Sequence, residues 1–277
     1  MINILIALLF GIVEGITEWL PVSSTGHMIL LNEFLTMDVS PAFWEMFLVV
    51  IQLGAIIAVV ILFRNKIFPF HVARREREKY GLLKMKTLRL WGLALIACVP
   101  AAIVGVLFDD VLDEVFYHWY VVAAALIVFG IAFLLIENWN AGRKPRVKKL
   151  SQLSVRDALI IGAFQLIAAI FPGTSRSGAT IVGALLIGVA RTVAAEFTFI
   201  LAIPVMFGAS LLKLLKFGFS FTGAEALILL AGTASALIVS LLVIRMLMRF
   251  IRTHDFKVFG YYRIILGLIV IVYFVLR

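Results

Sequence analysis

Six stretches of the chain stay apolar long enough to cross a membrane, at about 42–63, 90–108, 119–137, 195–215, 224–248 and 259–276. A helix needs about 20 apolar residues to traverse a ~30 Å hydrocarbon core, and in lipid the backbone must satisfy its own hydrogen bonds. Runs of this length predict spanning helices. Two further apolar stretches, 2–35 and 157–191, break in the middle. The breaks are polar and contain proline: "WLPVSSTGHMIL" at 19–30 and "IFPGTSRSGATI" at 170–181. The arms on either side are about 15–19 residues each, short for a span. Irregular backbone at membrane depth is tolerated only inside protein or beside a cavity. Each broken stretch is therefore predicted to be a re-entrant helical hairpin with its tip buried.

The two broken stretches are related. A shift of 151 residues places Gly11 on Gly162, Ile16 on Ile167, Pro21 on Pro172, Ser23 on Thr174 and Ser24 on Ser175, and further on Glu45 on Glu196. Three predicted spans separate the copies, an odd number, so the copies should be inverted, with broken helices meeting near the midplane. The expected fold is an all-α polytopic membrane protein with six spanning helices, two re-entrant helical hairpins and an inverted-topology repeat. It forms a single membrane domain over 1–277, with repeat one at about 1–108 and repeat two at about 157–248.

Charge sets the orientation. The chain is 63% hydrophobic and 15% charged, which leaves no segment for a soluble domain. The net charge of +9 would suit nucleic acid, but its distribution points elsewhere. Residues 1–63 hold no Lys or Arg, while 64–89 hold nine: Arg64, Lys66, Arg74, Arg75, Arg77, Lys79, Lys84, Lys86 and Arg89. A second cluster is Arg143, Lys144, Arg146, Lys148, Lys149 and Arg156. A third is Arg245, Arg249, Arg252, Lys257 and Arg263. Basic residues collect in cytoplasmic loops, so the three clusters are expected inside. The acidic turn of Asp109, Asp110, Asp113 and Glu114 and both termini are then expected outside. One cysteine, Cys98, allows no internal disulfide, and no Cys/His cluster suggests zinc.

The two tips carry the candidate chemistry. After each break a helix should restart, "SSTGHMIL" from Ser23 and "TSRSGATI" from Thr174. Ser and Thr cap helix N-termini, where free N–H groups and the helix dipole favour an anion. Thr25 falls in the same first turn. Arg176 adds a planar donor fork suited to phosphate, and at membrane depth it needs a partner. The first arm carries Glu14 and Glu18 on one helix face, where the second has Gln165 and Ala169. Two carboxylates beside an anion would repel it. Either a divalent cation bridges them, or burial keeps one protonated as an acid. Ser24 and His27, three apart, add a hydroxyl and an imidazole, the parts of nucleophilic catalysis.

At these residues the chain resembles a known family. "EGITEWLPVSSTGH" at 14–27 and "FPGTSRSGAT" at 171–180 are similar to the two signature motifs of the bacterial undecaprenyl-diphosphate phosphatases of the bacitracin-resistance type. "VVIQLGAIIAV" at 49–59 and "AAEFTFILAIP" at 194–204 are similar to its flanking helices. The resemblance implies a bacterial plasma (inner) membrane hydrolase that removes the terminal phosphate of a C55 polyprenyl diphosphate. Its product would be the carrier lipid of cell-wall synthesis. It implies an acidic pair at Glu14 and Glu18, a serine nucleophile at Ser24, an associated histidine at His27, and a phosphate-binding Arg176 beside Ser175, Ser177 and Thr180. On that pattern His27 takes or relays the serine proton while Glu18 orients it or binds metal. Mg²⁺ or Ca²⁺ on Glu14 and Glu18 is the expected cofactor, with no organic cofactor. Expected partners are the lipid substrate and membrane lipids, with a homodimer allowed and no nucleic acid. One departure is visible: where many members carry an acid before "VVIQLG", this chain has Leu48, with Glu45 one turn earlier. The alternative reading is a polyprenyl-phosphate flippase or secondary transporter with a midplane anion site, since inverted repeats also suit alternating access.

Overall fold

The structure is a computed structural model that describes residues 1–71, 77, 80–218 and 220–276; at 109–111, 113 and 114 only the backbone is described. Arg74, Arg75 and Lys79 of the first basic cluster lie outside the described residues, as do the side chains of Asp109, Asp110, Asp113 and Glu114.

Among the described residues the regular structure is helical, with no β-strand. In order the helices are α1 (Ile2–Thr17), α2 (Ser24–Phe34), α3 (Pro41–Val50), α4 (Gln52–Ile67), α5 (Met85–Phe116), α6 (Trp119–Asn140), α7 (Val155–Ile170), α8 (Arg176–Leu186), α9 (Arg191–Phe217), α10 (Gly223–Phe250) and α11 (Lys257–Leu276). Six apolar helical stretches are long enough to span: Pro41–Ile67, Met85–Phe108, Trp119–Asn140, Arg191–Phe217, Gly223–Phe250 and Lys257–Leu276. All six coincide with predicted spans, so this is a multi-pass membrane protein. The first is built from α3 and α4, which meet at Ile51. Local signals start several helices. Ser40 caps α3 ahead of Pro41. Ser154 with Asp157, and Thr222 with Glu225, form capping boxes on α7 and α10.

The acidic turn expected at 109–114 is not a turn. Helix α5 runs through it to Phe116. No glycine or proline lies between 106 and 116 to stop it, and the chain reverses at 117–118 instead.

The broken stretches give α1 and α2, of 16 and 11 residues, and α7 and α8, again of 16 and 11. At 1.5 Å per residue the longer arms reach about 24 Å, short of a full crossing. Each long arm lies against a spanning helix of the other half: α1 packs on α10, and α7 packs on α5. The glycines paired by the 151-residue shift make these crossings close. A Cβ on Gly11 would collide with the Gly232 carbonyl and the Ser235 hydroxyl, and one on Gly162 would lie 2.6 Å from the Ala97 carbonyl. Helices α4 and α9 pack against each other between these pairs. Ionic ties join the ends that carry the basic loops: Lys66 to Glu196, Arg146 to the buried Asp157, and Arg191 to the buried Glu137.

Without a hydrophobic drive between helices in lipid, such close approach supplies packing energy. Gly11→Val is expected to destabilise the protein by about 1–3 kcal/mol through overpacking. Gly208→Ala, where a Cβ meets nothing within 4 Å, should leave stability unchanged or raised. Thermal unfolding of both variants in detergent checks the contrast.

Candidate active site at the two tips

Each short helix begins with the residue that carries the chemistry. Ser23 caps α2, its hydroxyl accepting the Gly26 N–H at 3.3 Å, and Ser175 caps α8, accepting the Gly178 N–H at 3.1 Å. Both caps hold a left-handed backbone, with φ 75° at Ser23 and 69° at Ser175. A non-glycine residue there is strained, and the cap hydrogen bond offsets the cost. The equivalent caps are 152 residues apart, one more than the sequence shift. The second tip holds an extra residue after its proline, and Gly173 takes φ 89° against the backbone of Val122. Two expectations change. Thr174 is not the cap of α8 but lies just before it. The structural counterpart of Ser24 is Arg176 rather than Ser175, so the hydroxyl and the guanidinium hold the same first position of their helices.

Glu18 joins the tips. Its Oε2 accepts the Ser24 hydroxyl at 3.0 Å, its Oε1 accepts Arg176 Nη2 at 2.8 Å, and its backbone carbonyl accepts the Ser177 hydroxyl at 3.0 Å. The Glu18 and Arg176 side chains are only 9% and 13% exposed, so losing one partner would strand a buried charge on the other. Arg176 also donates to the Thr198 carbonyl on α9 at 3.1 Å, and its guanidinium lies 5.9 Å from the centre of the Trp19 ring. Thr180 donates to the Arg176 carbonyl and meets the Thr198 hydroxyl, both at 2.9 Å. The hydroxyls of Ser175 and Ser177 are 3.1 Å apart. Thr25 is partly buried and makes no side-chain hydrogen bond among the described residues. Glu14 is buried one turn before Glu18.

Five buried side-chain atoms lack a hydrogen-bond partner among the described residues: Glu14 Oε1, Trp19 Nε1, Gln165 Oε1, Thr174 Oγ1 and Arg176 Nε. All five belong to the two broken stretches. Burying a polar group unpaired costs about 1–3 kcal/mol, so each such atom calls for a partner such as water, an ion or a ligand. Donors from Trp19, Thr174 and Arg176 suit phosphate oxygens. Acceptors from Glu14 and Gln165 suit a cation or a proton. Among the described residues no three His, Cys, Asp or Glu side chains could hold a metal by themselves.

His27 does not sit as a partner of Ser24. Its Nδ1 lies 2.7 Å from the Ser23 carbonyl and its Nε2 lies 2.6 Å from the Tyr262 hydroxyl. A carbonyl only accepts, so Nδ1 carries the proton. The sequence reading, in which His27 takes or relays the Ser24 proton, is not the arrangement in this structure. The acceptor on Ser24 is Glu18.

Arg263 was assigned by its sequence to a cytoplasmic basic cluster, and the structure instead buries it completely. Its guanidinium reaches five backbone carbonyls: Pro21 on the first tip at 3.2 Å, Gly173 and Thr174 on the second at 2.9 and 2.7 Å, and Ala125 and Leu126 on α6 at 3.4 Å. The signal was available, because Arg263 falls inside the predicted span 259–276 and an ionisable residue within a span is functional by default. Tyr262, Trp19 and Thr198 carried no comparable signal. Glu45 is exposed on α3 and Leu48 is partly buried. Glu45 does not join the cluster.

The family model described as Bacitracin resistance protein BacA matches residues 7–269. An undecaprenyl-diphosphatase of Desulfitobacterium hafniense is 59% identical over 277 residues, covering 100% of this chain and 98% of its own length. Undecaprenyl-diphosphatase 1 of Clostridium acetobutylicum is 59% identical over 275 residues, 99% of this chain and 98% of its own. An undecaprenyl-diphosphatase of Acetivibrio thermocellus is 56% identical over 274 residues, with the same coverage of 99% and 98%.

Replacing Arg263 with methionine would keep bulk but leave its carbonyl acceptors in both tips without a donor. Arg263→Met is expected to cost about 3 kcal/mol or more. Thermal unfolding in detergent, beside the exposed-site control Arg252→Met, measures it.

Proposed function

Because the chain belongs to the bacitracin resistance protein BacA family, we propose that its two-tip site removes the terminal phosphate of undecaprenyl diphosphate and returns undecaprenyl phosphate to the carrier-lipid pool of cell-wall synthesis. Bacitracin resistance accompanies that activity. The observation that carries the reading is the unbroken contact of Ser24, Glu18 and Arg176 across the two tips.

In the proposed chemistry the diphosphate docks on Arg176 and the N-termini of α2 and α8. Trp19, Thr174 and the Arg176 Nε offer it donors that have no partner among the described residues. Glu18 takes the proton of Ser24, 3.0 Å away, as Ser24 Oγ attacks the terminal phosphorus. The bond to the bridging oxygen breaks and the lipid monophosphate leaves. Water then displaces Ser24 from the phosphoserine, and Glu18 returns the proton to Ser24. Positioning and fixed charge supply most of the acceleration in such reactions. Direct attack by water is the competing chemistry, and a phosphoenzyme on Ser24 separates the two.

A divalent cation, Mg²⁺ or Ca²⁺, is part of the proposal. Both Glu18 oxygens are engaged by Arg176 and Ser24, which leaves Glu14 as the fitting carboxylate, with its Oε1 unpartnered. Mg²⁺ is commonly held by one or two carboxylates together with substrate phosphates. Bound there, the cation would offset the charge of the diphosphate.

The proposed setting is the bacterial plasma membrane, with the basic loops cytoplasmic and both termini outside, as the distribution of Lys and Arg supports. The two broken stretches are proposed as inverted re-entrant hairpins. Their equal helix lengths, matching strained caps and reciprocal packing on α10 and α5 support this.

Phosphate release from undecaprenyl diphosphate by the purified protein in detergent is the test. Ser24→Ala and Glu18→Gln are each expected to lower kcat by roughly 10³-fold or more. Full activity in Ser24→Ala would end the phosphoserine route. Chelation of divalent cations is expected to lower the rate of the native protein more than that of Glu14→Gln.

A further inference from the structure

The tip of α2 separates two proton-handling groups that the sequence places three residues apart. Ser24 turns to Glu18, and His27 turns the other way, to α11. What holds the imidazole there is a contact at each nitrogen. Nδ1–H donates to the Ser23 carbonyl at 2.7 Å, a local bond one turn back on its own helix. That bond makes Nε2 the only nitrogen with a free lone pair in the neutral ring. The lone pair meets the Tyr262 hydroxyl at 2.6 Å, from a residue 235 positions away. The two ring planes are parallel to within 6°, with centroids 5.6 Å apart, so a ring contact accompanies the hydrogen bond.

We propose that Tyr262 is a positioning residue for the phosphatase reaction, holding the basic Nε2 of His27, whose tautomer the Ser23 carbonyl sets, away from Ser24; this rests on the two-tip reading above. The Ser23 bond alone would leave the Nε2 lone pair free to accept the Ser24 hydroxyl, which would divert its proton from Glu18. With Tyr262 in place the two proton acceptors of the tip, Glu18 and His27, stay on different partners. The Nδ1–H bond ends on a carbonyl that has no proton to pass on. A proton can therefore enter or leave His27 only at Nε2, on the side of Tyr262. That residue is 45% exposed, while its chain neighbour Arg263 is fully buried against both tips. One turn of α11 thus sets the backbone of the tips with one residue and the orientation of the imidazole with the next. The second bond distinguishes Tyr262 from a mere wall: a phenylalanine would pack in the same place and leave Nε2 unpaired.

The test uses the full-length protein in detergent with ¹⁵N-labelled histidine, the His27 signals being assigned by their loss in His27→Ala. Native protein should show Nδ1 protonated and Nε2 as an unprotonated acceptor. Tyr262→Phe is expected to shift the Nε2 resonance and to lower kcat roughly tenfold, the worth of one hydrogen bond, with KM for undecaprenyl diphosphate unchanged. In a His27→Ala background the same substitution should cost nothing further, as expected for two groups that act as one unit. Wild-type kcat and unshifted nitrogens in Tyr262→Phe would overturn the proposal, and so would an equal loss with and without His27. If Tyr262→Phe fails to fold, 3,5-difluorotyrosine at 262 retains the packing and strengthens the donor. It should move the Nε2 signal, and an unmoved signal would count against Tyr262. Ser24→Ala run in parallel keeps the two readings apart, because full activity there defeats the site while the nitrogen shift still reports on Tyr262.

Discussion

The structure turns on a buried arginine whose partners among the described residues are backbone carbonyls. Arg263 enters the core from α11 and spreads its donors over carbonyls of both tips and of α6. The carbonyls at Pro21, Gly173 and Thr174 belong to chain that has left helical geometry, so they have no partner within a helix. In lipid such groups would be prohibitively costly, and helix breaks are tolerated only where something re-satisfies them. One guanidinium does this for two breaks at once. The distance between the tips, and with it the meeting of Ser24, Glu18 and Arg176, depends on that donor fork.

Around this anchor the site separates structural hydrogen bonds from unused ones. The cap serines, Ser177 and Thr180 spend their hydroxyls on the protein itself. Glu18 spends both oxygens on the two groups that would meet substrate. What is left unpaired is a set of buried atoms on Glu14, Trp19, Gln165, Thr174 and Arg176. Such atoms are rare in folded proteins, and each calls for water, an ion or a ligand as its partner. Stability and recognition are therefore assigned to different side chains within a few residues of each other.

Much of this was legible in the sequence. The six spans follow from uninterrupted apolar length, and the tips from Pro21 and Pro172 inside otherwise apolar runs. Glu18 and Arg176 stand out because a charge at membrane depth requires a partner; that each is the other's is seen in the structure. Three features were hidden for physical reasons. The register slip at Gly173 adds a single residue, too little to disturb an alignment anchored on Gly11, Gly162 and the two prolines. The continuation of α5 through 109–114 went unseen because a dense acidic run reads as solvated turn, although nothing in it breaks a helix. The direction of His27 depends on Tyr262, 235 residues away, and no local spacing encodes it. Arg263 was visible as a charge within a span, but topology explained it too readily.

The way Arg263 is satisfied has a consequence for the electric field. Backbone carbonyls offer lone pairs but no net charge, so they solvate the guanidinium without cancelling it. Arg176 is offset by Glu18, as a surface pair would be. Arg263, always protonated at ordinary pH, remains a full positive charge in a poorly screened interior, where fields carry further than in water. A polyanionic headgroup held at the tips would feel that charge without any contact to it. The tether that shapes the tips is in this sense also a fixed charge beside them.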